Sequence, residues 1–293
     1  MLVAVSSAET GIPVFLLHGT PGSRSGPRPR SDKLYMLGIR LISYDRPGYG
    51  GSSRHPGRSV ADAADDVRAI ADALGLDRFA VVGRSGGAPH ALACAARMPD
   101  RVTRTAALVG LAPANAEGLD WYDGMTDGNV QEYTTAEADL VALTEQLHER
   151  ARRTADDPDW FLDFLRDQMT EADKRVVRGL PIRRQLLHSY REALRCGPYG
   201  WVDDVLAFGK DWGFDFADIT GPVLLWHGAE DNFSPAGHTR WLARQIPHAE
   251  VRVQLRTAHF GALEVLPEIL SWLASGPVHS GDGPRRSAGD RRP

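Results

Sequence analysis

Short apolar segments alternate with amphipathic segments along most of the chain. Seven of the apolar segments are rich in β-branched residues and predict strands. They are LVAVSS (2–7), VFLLHG (14–19), RLISYD (40–45), FAVVGRS (79–85), AALVGL (106–111), VLLWHG (223–228) and VRVQLR (251–256). Several are apolar at successive positions, which is typical of parallel strands that helices cover on both faces.

The segments between these strands predict helices. Ser59 and Asp62 have the spacing of a capping box, and apolar residues follow at helical spacing up to Gly75. Further helices are predicted from just after Ser85 to Met98, at about 237–246 and at about 267–274. This alternation predicts an α/β fold with a doubly wound, mostly parallel sheet of about seven strands.

The alternation stops between residues 113 and 210. Four helical patterns follow one another there, near 135–153, 159–169, 171–178 and 182–195. We expect a helical cap inserted above the strand ends, where open α/β sheets bind ligands. The predicted organisation is a core of residues 1–112 and 211–275, a cap of residues 113–210 and a disordered tail of residues 276–293, which is rich in Gly, Pro and Arg.

Composition excludes several classes of protein. The 293 residues carry a net charge of −4 without a basic stripe, which argues against a nucleic-acid partner. No apolar run reaches the roughly 18–20 residues of a membrane span, and the N-terminus lacks the positive charge of a signal peptide, so we expect a cytoplasmic protein without a membrane partner. Metal-ligand spacing and a phosphate-binding glycine loop are both missing, so no metal and no cofactor are expected.

The strongest chemical motif is Gly83-Arg84-Ser85-Gly86-Gly87. It follows a predicted strand and opens a predicted helix, which is the context of a nucleophile elbow that exposes the serine hydroxyl. A glycine-rich loop without chemistry is the alternative. The context favours Ser85 as a nucleophile, with Arg84 beside it as a residue that shapes the site.

A nucleophilic serine needs a base, and the chain has ten histidines. His259 follows the last predicted strand in LRTAHFGAL, so it can reach the sheet edge where Ser85 lies, and we expect it to be the base. His90 is expected to be buried or to line the site, and His227 to be structural. His238 and His248 are expected to be solvated.

The base needs a carboxylate that orients it. Asp231 in HGAEDNFSP follows the strand VLLW and is preferred over the adjacent Glu230 because of its place in the motif. The chain order Ser85, Asp231, His259 is then the one found in α/β-hydrolases.

Five motifs together resemble the α/β-hydrolase fold family, in particular its capped members near the proline iminopeptidase, esterase and epoxide hydrolase-like branches. The motifs are HGTPGS (18–23), YDRPGYGGS (44–52), GRSGG (83–87), HGAEDNFSP (227–235) and AHFG (258–261). Two departures stand out. Only one strand precedes the HG-containing strand, so seven strands are expected rather than eight. Epoxide hydrolases and dehalogenases of this fold have an aspartate where this chain has Ser85, which argues against both activities.

The resemblance also implies an oxyanion hole made of backbone N–H groups. One donor is the N–H of Gly86, which follows the nucleophile. The other comes from the turn after the HG strand, where Pro21 has no N–H and the family's pattern points to Thr20. His18 and Gly19 are expected to shape this turn without acting as a base or an acid.

The expected function is a serine hydrolase that cleaves a small ester, lactone or amide, with a small molecule as its substrate and as a monomer or homodimer. Two alternatives stay open. One is a non-hydrolytic or C–C-cleaving enzyme with the same triad, such as a lyase, cyclase, acyltransferase or cofactor-free haloperoxidase. The other is a catalytically silent ligand-binding protein. Proline iminopeptidases carry carboxylates in the cap, but the candidates Glu137, Asp139 and Glu145 do not single out a peptidase.

Overall fold

One seven-stranded sheet organises the protein, as seen in a computed structural model that describes residues 1–6 and 10–275. The strands are β1 (Val3–Ser6), β2 (Ile12–Leu17), β3 (Ile39–Tyr44), β4 (Phe79–Arg84), β5 (Val102–Leu108), β6 (Val223–Gly228) and β7 (Glu250–Gln254). Their order is β1-β3-β2-β4-β5-β6-β7; β1 pairs antiparallel with β3, and all other neighbours are parallel. The predicted seven-stranded, mostly parallel sheet is confirmed.

Five helices cover the two faces of this sheet. They are α1 (Ser31–Met36), α2 (Asp62–Ala73), α3 (Gly87–Arg97), α10 (Ala236–Gln245) and α11 (Gly261–Ala274). Phe15 and Leu17 of β2 belong to the apolar layer that α2, α3 and α10 cover, whereas Val14 and Leu16 belong to the layer under α1 and α11. Because successive strand residues point to opposite faces, a strand buried on both sides must be apolar throughout, as β2 is.

Six further helices lie between β5 and β6 in the chain. They are α4 (Asp127–Ala138), α5 (Leu140–Asp156), α6 (Pro158–Arg166), α7 (Glu171–Val177), α8 (Leu180–Leu194) and α9 (Tyr199–Phe208). They enclose an apolar cluster that includes Phe161 and Trp201 and continues to Tyr49 and Phe260 of the sheet's loops. The division into a core and a cap stays a prediction, and the tail predicted for residues 276–293 lies outside the described residues.

Three local expectations need correction. Helices α4 and α9 are not expected from the periodicity. Helix α11 begins at Gly261 rather than near residue 267, and it contains Pro267 within its length. His238 was expected to be solvated, but it is buried on α10, where it accepts a hydrogen bond from the backbone N–H of Ala112 at 3.1 Å. Burial lowers the pKa of His238 to about 4. Among the helices described, none is long and apolar enough to cross a membrane.

Candidate active site

Ser85 lies in a sharp turn between β4 and α3. Its φ of 54° is in the left-handed region, which is unusual for a residue with a side chain and marks local strain. The flanking glycines make the turn possible: a Cβ at Gly83 would lie 2.0 Å from the carbonyl oxygen of Gly87, and a Cβ at Gly87 would lie 2.3 Å from that of Leu17. The backbone N–H of Ser85 donates to Leu108 O at 2.8 Å, which fixes the turn to β5.

Asp231 and His259 form a hydrogen-bonded pair after β6 and β7. His259 Nδ1 lies 2.9 Å from Asp231 Oδ2, and the other carboxylate oxygen accepts the backbone N–H groups of Phe233 and Ser234. Burial alone would raise the pKa of Asp231, but the charge of His259 and hydrogen bonds from His227 and His259 outweigh it and hold this pKa well below its usual range. Asp231 is therefore an ionised carboxylate that orients the His259 ring, whereas the adjacent Glu230 is exposed.

Ser85 and His259 line the same cavity beneath the helices that follow β5. Gly19, Thr20, Arg84 and Gly86 line it too, and Asp231 lies behind His259. Most of the remaining wall is aromatic or aliphatic: Leu111, Tyr133, Phe161, Phe164, Leu165, Tyr190, Trp201, Phe208, Phe233 and Phe260. Within residues 1–6 and 10–275 no hydrogen bond joins the Ser85 hydroxyl to His259. Such bonds often tighten only when substrate is bound.

The turns that carry Thr20 and Gly86 touch each other. A Cβ at Gly86 would lie 2.2 Å from Thr20 Oγ1, so only glycine lets the two turns approach this closely. Neither the Thr20 nor the Gly86 backbone N–H donates a hydrogen bond to any acceptor in the described part of the chain. Unpaired backbone N–H groups beside a nucleophile are the donors that stabilise a developing oxyanion in acyl transfer. That these two N–H groups do so stays a prediction.

His18 contacts the loops around this turn rather than the cavity. Its Nδ1 lies 2.8 Å from Gly19 O, and its Nε2 accepts the backbone N–H of Arg46 at 3.2 Å. The Arg46 guanidinium also donates to the carbonyl oxygens of His18 and Gly19. Burial first, and the charge of Arg46 second, hold the pKa of His18 well below its usual value, so the ring is neutral.

Asp204 on α9, a fully buried carboxylate that contacts the same turn, is not singled out by any pattern in the sequence. It accepts hydrogen bonds from Thr20 Oγ1 (2.5 Å), Arg46 (2.5 Å), Tyr49 (2.8 Å) and Arg58 (2.6 Å). Burial opposes ionisation, but Arg46 and Arg58 overcome it and hold the pKa of Asp204 well below the usual range. Asp204 thus fixes the Thr20 turn to α9 through a charged network.

Asp173 on α7 was missed as well, and it contacts the loop that carries the expected base. Its carboxylate accepts the backbone N–H of His259 at 3.2 Å and that of Phe260 at 2.6 Å. Burial raises the pKa of Asp173 to about 6, although His259 and these N–H groups oppose the rise. Helix α7, which does not belong to the helices that cover the two faces of the sheet, therefore helps to position His259.

The carboxylates considered for a peptidase do not line the cavity. Glu137 accepts a weak hydrogen bond from Tyr122, Asp139 caps α5 and Glu145 is exposed. The carboxylate at the cavity wall is instead Glu132, which pairs with Arg150 at 2.5 Å and accepts from the indole of Trp201 at 2.7 Å. Because the periodicity does not predict α4, the sequence could not show that Glu132 lies at the cavity wall.

Replacing Thr20 with alanine is expected to leave most activity intact, because the proposed oxyanion donor is its backbone N–H. The lost hydroxyl donates to the buried Asp204, so the free energy of unfolding should fall by about 1.5–3 kcal/mol. Thr20→Ser keeps a hydroxyl and is the matched control. Ester turnover and urea denaturation measure the two effects. A folded Thr20→Ala protein as inactive as Ser85→Ala would contradict the role of the backbone.

Comparisons with known proteins identify the family to which this fold belongs. A family model described as alpha/beta hydrolase fold matches residues 12–264. The chain is 36% identical over 247 residues to a putative carbamate hydrolase, RutD, of a Caulobacter species, covering 82% of this chain and 81% of that protein. It is 26% identical over 260 residues to the 2-hydroxymuconate semialdehyde hydrolase of Pseudomonas putida, covering 87% and 83%.

Solved structures show the same fold. The crystal structure of the enol-lactonase from Burkholderia xenovorans superposes with a TM-score of 0.67 at 19% identity, covering 92% of this chain and 94% of that one. At this identity the likeness concerns the fold alone. Both of these curated relatives are named as hydrolases. The family model spans strands β2 to β7 and the helices between them. The chain belongs to the α/β-hydrolase fold family.

Proposed function

We propose that the protein is a serine hydrolase that cleaves a small ester, lactone or amide through an acyl-enzyme, with Ser85, His259 and Asp231 as its triad. The observation that carries the proposal is the strained turn that exposes Ser85 in the cavity that His259 also lines. His259 Nδ1 is bound to Asp231, which leaves Nε2 to accept a proton.

The first half of the reaction forms the acyl-enzyme. His259 Nε2 takes the hydroxyl proton of Ser85 while the Ser85 oxygen bonds to the substrate carbonyl carbon, and the carbonyl electrons move onto its oxygen. The N–H groups of Thr20 and Gly86 donate to this oxyanion; donors of this kind contribute about 3–4 kcal/mol each. The carbonyl then re-forms, the bond to the leaving group breaks and the leaving group takes the proton from His259.

The second half repeats these steps with water. Water gives a proton to His259 and attacks the acyl carbon, the Ser85–acyl bond breaks and Ser85 regains its proton. Asp231 keeps the Nδ1 proton of His259 in place during both halves and stabilises the imidazolium that forms transiently. The apolar wall of the cavity excludes bulk water and strengthens these interactions.

A fluorophosphonate probe and a panel of acyl esters test this function. We expect stoichiometric labelling of the folded protein at the peptide that contains Ser85, and loss of ester hydrolysis in proportion to labelling. Protein unfolded in urea before the probe is added serves as the control and should not react. Labelling elsewhere, or no labelling of the folded protein, contradicts the proposal.

The panel also separates hydrolysis from the alternative chemistry. Labelled Ser85 together with hydrolysis above the probe-inactivated background supports a hydrolase. Labelled Ser85 without hydrolysis of any ester, lactone or amide would instead favour a lyase, cyclase, acyltransferase or haloperoxidase that uses the same residues.

A further inference from the structure

Arg84 lies at the wall of the active-site cavity and has no charged partner among the described residues. Two arginines border this cavity, Arg84 and Arg150. Arg150 is paired with Glu132 at 2.5 Å. The described residues place no carboxylate oxygen within 4 Å of the Arg84 guanidinium and give it no hydrogen-bond acceptor. An unpaired charge in a partly buried position is unfavourable, so Arg84 is expected to lower the free energy of unfolding of the protein.

The neighbouring charges do not supply the missing partner. Arg84 also borders a smaller cavity, in which the other arginine, Arg24, is paired with Asp45. The carboxylates whose fields reach Arg84 are Asp173 and Asp231. Both already accept hydrogen bonds, Asp173 from two backbone N–H groups and Asp231 from His259 and two further N–H groups. Burial lowers the pKa of Arg84, as expected for a charge held without compensation.

The guanidinium lies close to the reacting serine. A Cβ built on Gly19 would be 3.5 Å from Arg84 Nη2 and 3.4 Å from Ser85 Cβ, so both groups lie against the same turn. Tyr190 lines the cavity as well, and the charge of Arg84 acts on its phenol. The Tyr190 hydroxyl makes no hydrogen bond to any described residue, so this wall offers a guanidinium and a phenol that are both unpaired.

We propose that Arg84, assisted by Tyr190, binds a carboxylate of the substrate, so that the protein acts on esters or lactones that carry a free carboxylate near the scissile bond. A guanidinium presents two parallel N–H donors that match the planar carboxylate, and its single charge balances one monoanion. The proposal rests on the proposed serine hydrolase and adds the substrate class to it.

Pairs of esters that differ in one charge test this inference. Monomethyl esters of succinate, glutarate and adipate carry a free carboxylate, and their dimethyl esters do not. We expect a higher kcat/KM for at least one monoester than for its diester. We expect Arg84→Gln to lower kcat/KM for the monoester about 10- to 100-fold more than kcat/KM for the diester. This difference corresponds to the loss of one charge-assisted hydrogen bond. Arg84→Lys should recover part of the preference.

Arg97→Gln is the matched control for net charge. Arg97 is exposed at the end of α3, so this variant removes one positive charge without touching the cavity. The ratio of kcat/KM for the monoester to kcat/KM for the diester should be the same in this variant as in the wild type. A ratio that falls equally in Arg84→Gln and Arg97→Gln reflects long-range attraction only and overturns the carboxylate site.

A binding measurement keeps the inference independent of turnover. Succinate, glutarate or adipate should slow the labelling of Ser85 by the fluorophosphonate in the wild type at constant ionic strength, and should slow it much less in Arg84→Gln. Protection that is absent, or equal in both proteins, overturns the inference while labelling itself still supports the hydrolase. Absence of labelling in the folded wild type overturns the proposed function and this inference with it.

Discussion

Replacing Ser85 with alanine is expected to lower ester turnover by about a million-fold, down to the background rate, and to abolish fluorophosphonate labelling. The change removes the one oxygen that bonds to the substrate in the proposed reaction. It should leave the fold intact, because the described residues give the Ser85 hydroxyl no hydrogen bond and alanine keeps the same Cβ at the same strained φ of 54°. Initial rates with the best ester of the panel and a urea denaturation curve measure the two effects.

A pair of histidine variants isolates the base in the same assay. His259→Ala should lower ester turnover about as much as Ser85→Ala does. The two residues act as a unit in the proposed reaction, so the effects of the two substitutions do not add. His248→Ala is the control, since His248 is exposed and contacts the backbone of Gly221. If Ser85→Ala kept a substantial fraction of the wild-type rate while folded, the nucleophile would have to be another residue.

The sheet and the nucleophile turn were predictable because their signals are local. Strand β2 is apolar at successive positions, and the elbow needs Gly83 and Gly87 within five residues because side chains there would collide with backbone. Asp231 and His259 each follow a predicted strand at the same edge of the sheet. The carboxyl ends of parallel strands lie at one edge of the sheet, so residues that follow these strands lie near one another in the fold.

The charged residues around the site were not predictable in this way. Glu132, Asp173 and Asp204 lie on α4, α7 and α9, which all border the apolar cluster that continues to the sheet's loops. Each is one of two or three carboxylates on its helix, and only the tertiary structure shows which of them are buried and paired. The sequence likewise cannot show that no described residue pairs with Arg84, because this depends on every residue that surrounds the guanidinium.

Burial also explains the error over His238. A histidine on an amphipathic helix is usually solvated, but this one faces the segment that follows β5, where it contacts the ring of Trp121 and the backbone of Ala112. The helix pattern near residue 238 predicted the element correctly and did not predict its buried face.

Asp204→Asn is expected to destabilise the protein by about 3–5 kcal/mol, because it removes the only negative charge that Arg46 and Arg58 share in the described interior. Both guanidinium groups are nearly inaccessible to solvent, so their charges cannot be hydrated instead. The amide also cannot accept all four of the hydrogen bonds that the carboxylate accepts from Thr20, Arg46, Tyr49 and Arg58. Urea denaturation of the variant and the wild type measures the difference.

Asp203→Asn is the control that separates a buried network from an ordinary ion pair. The adjacent Asp203 is buried too, but its one partner, Arg54, is 37% exposed and can be hydrated, so the loss there should be smaller than for Asp204→Asn. If Asp204→Asn yields too little folded protein, Tyr49→Phe removes one hydrogen bond to Asp204 and should cost about 1.5–3 kcal/mol. Equal stabilities of Asp204→Asn and Asp203→Asn would show that the network does not hold α9 to the Thr20 turn, and the positioning of the oxyanion donors would then need another cause.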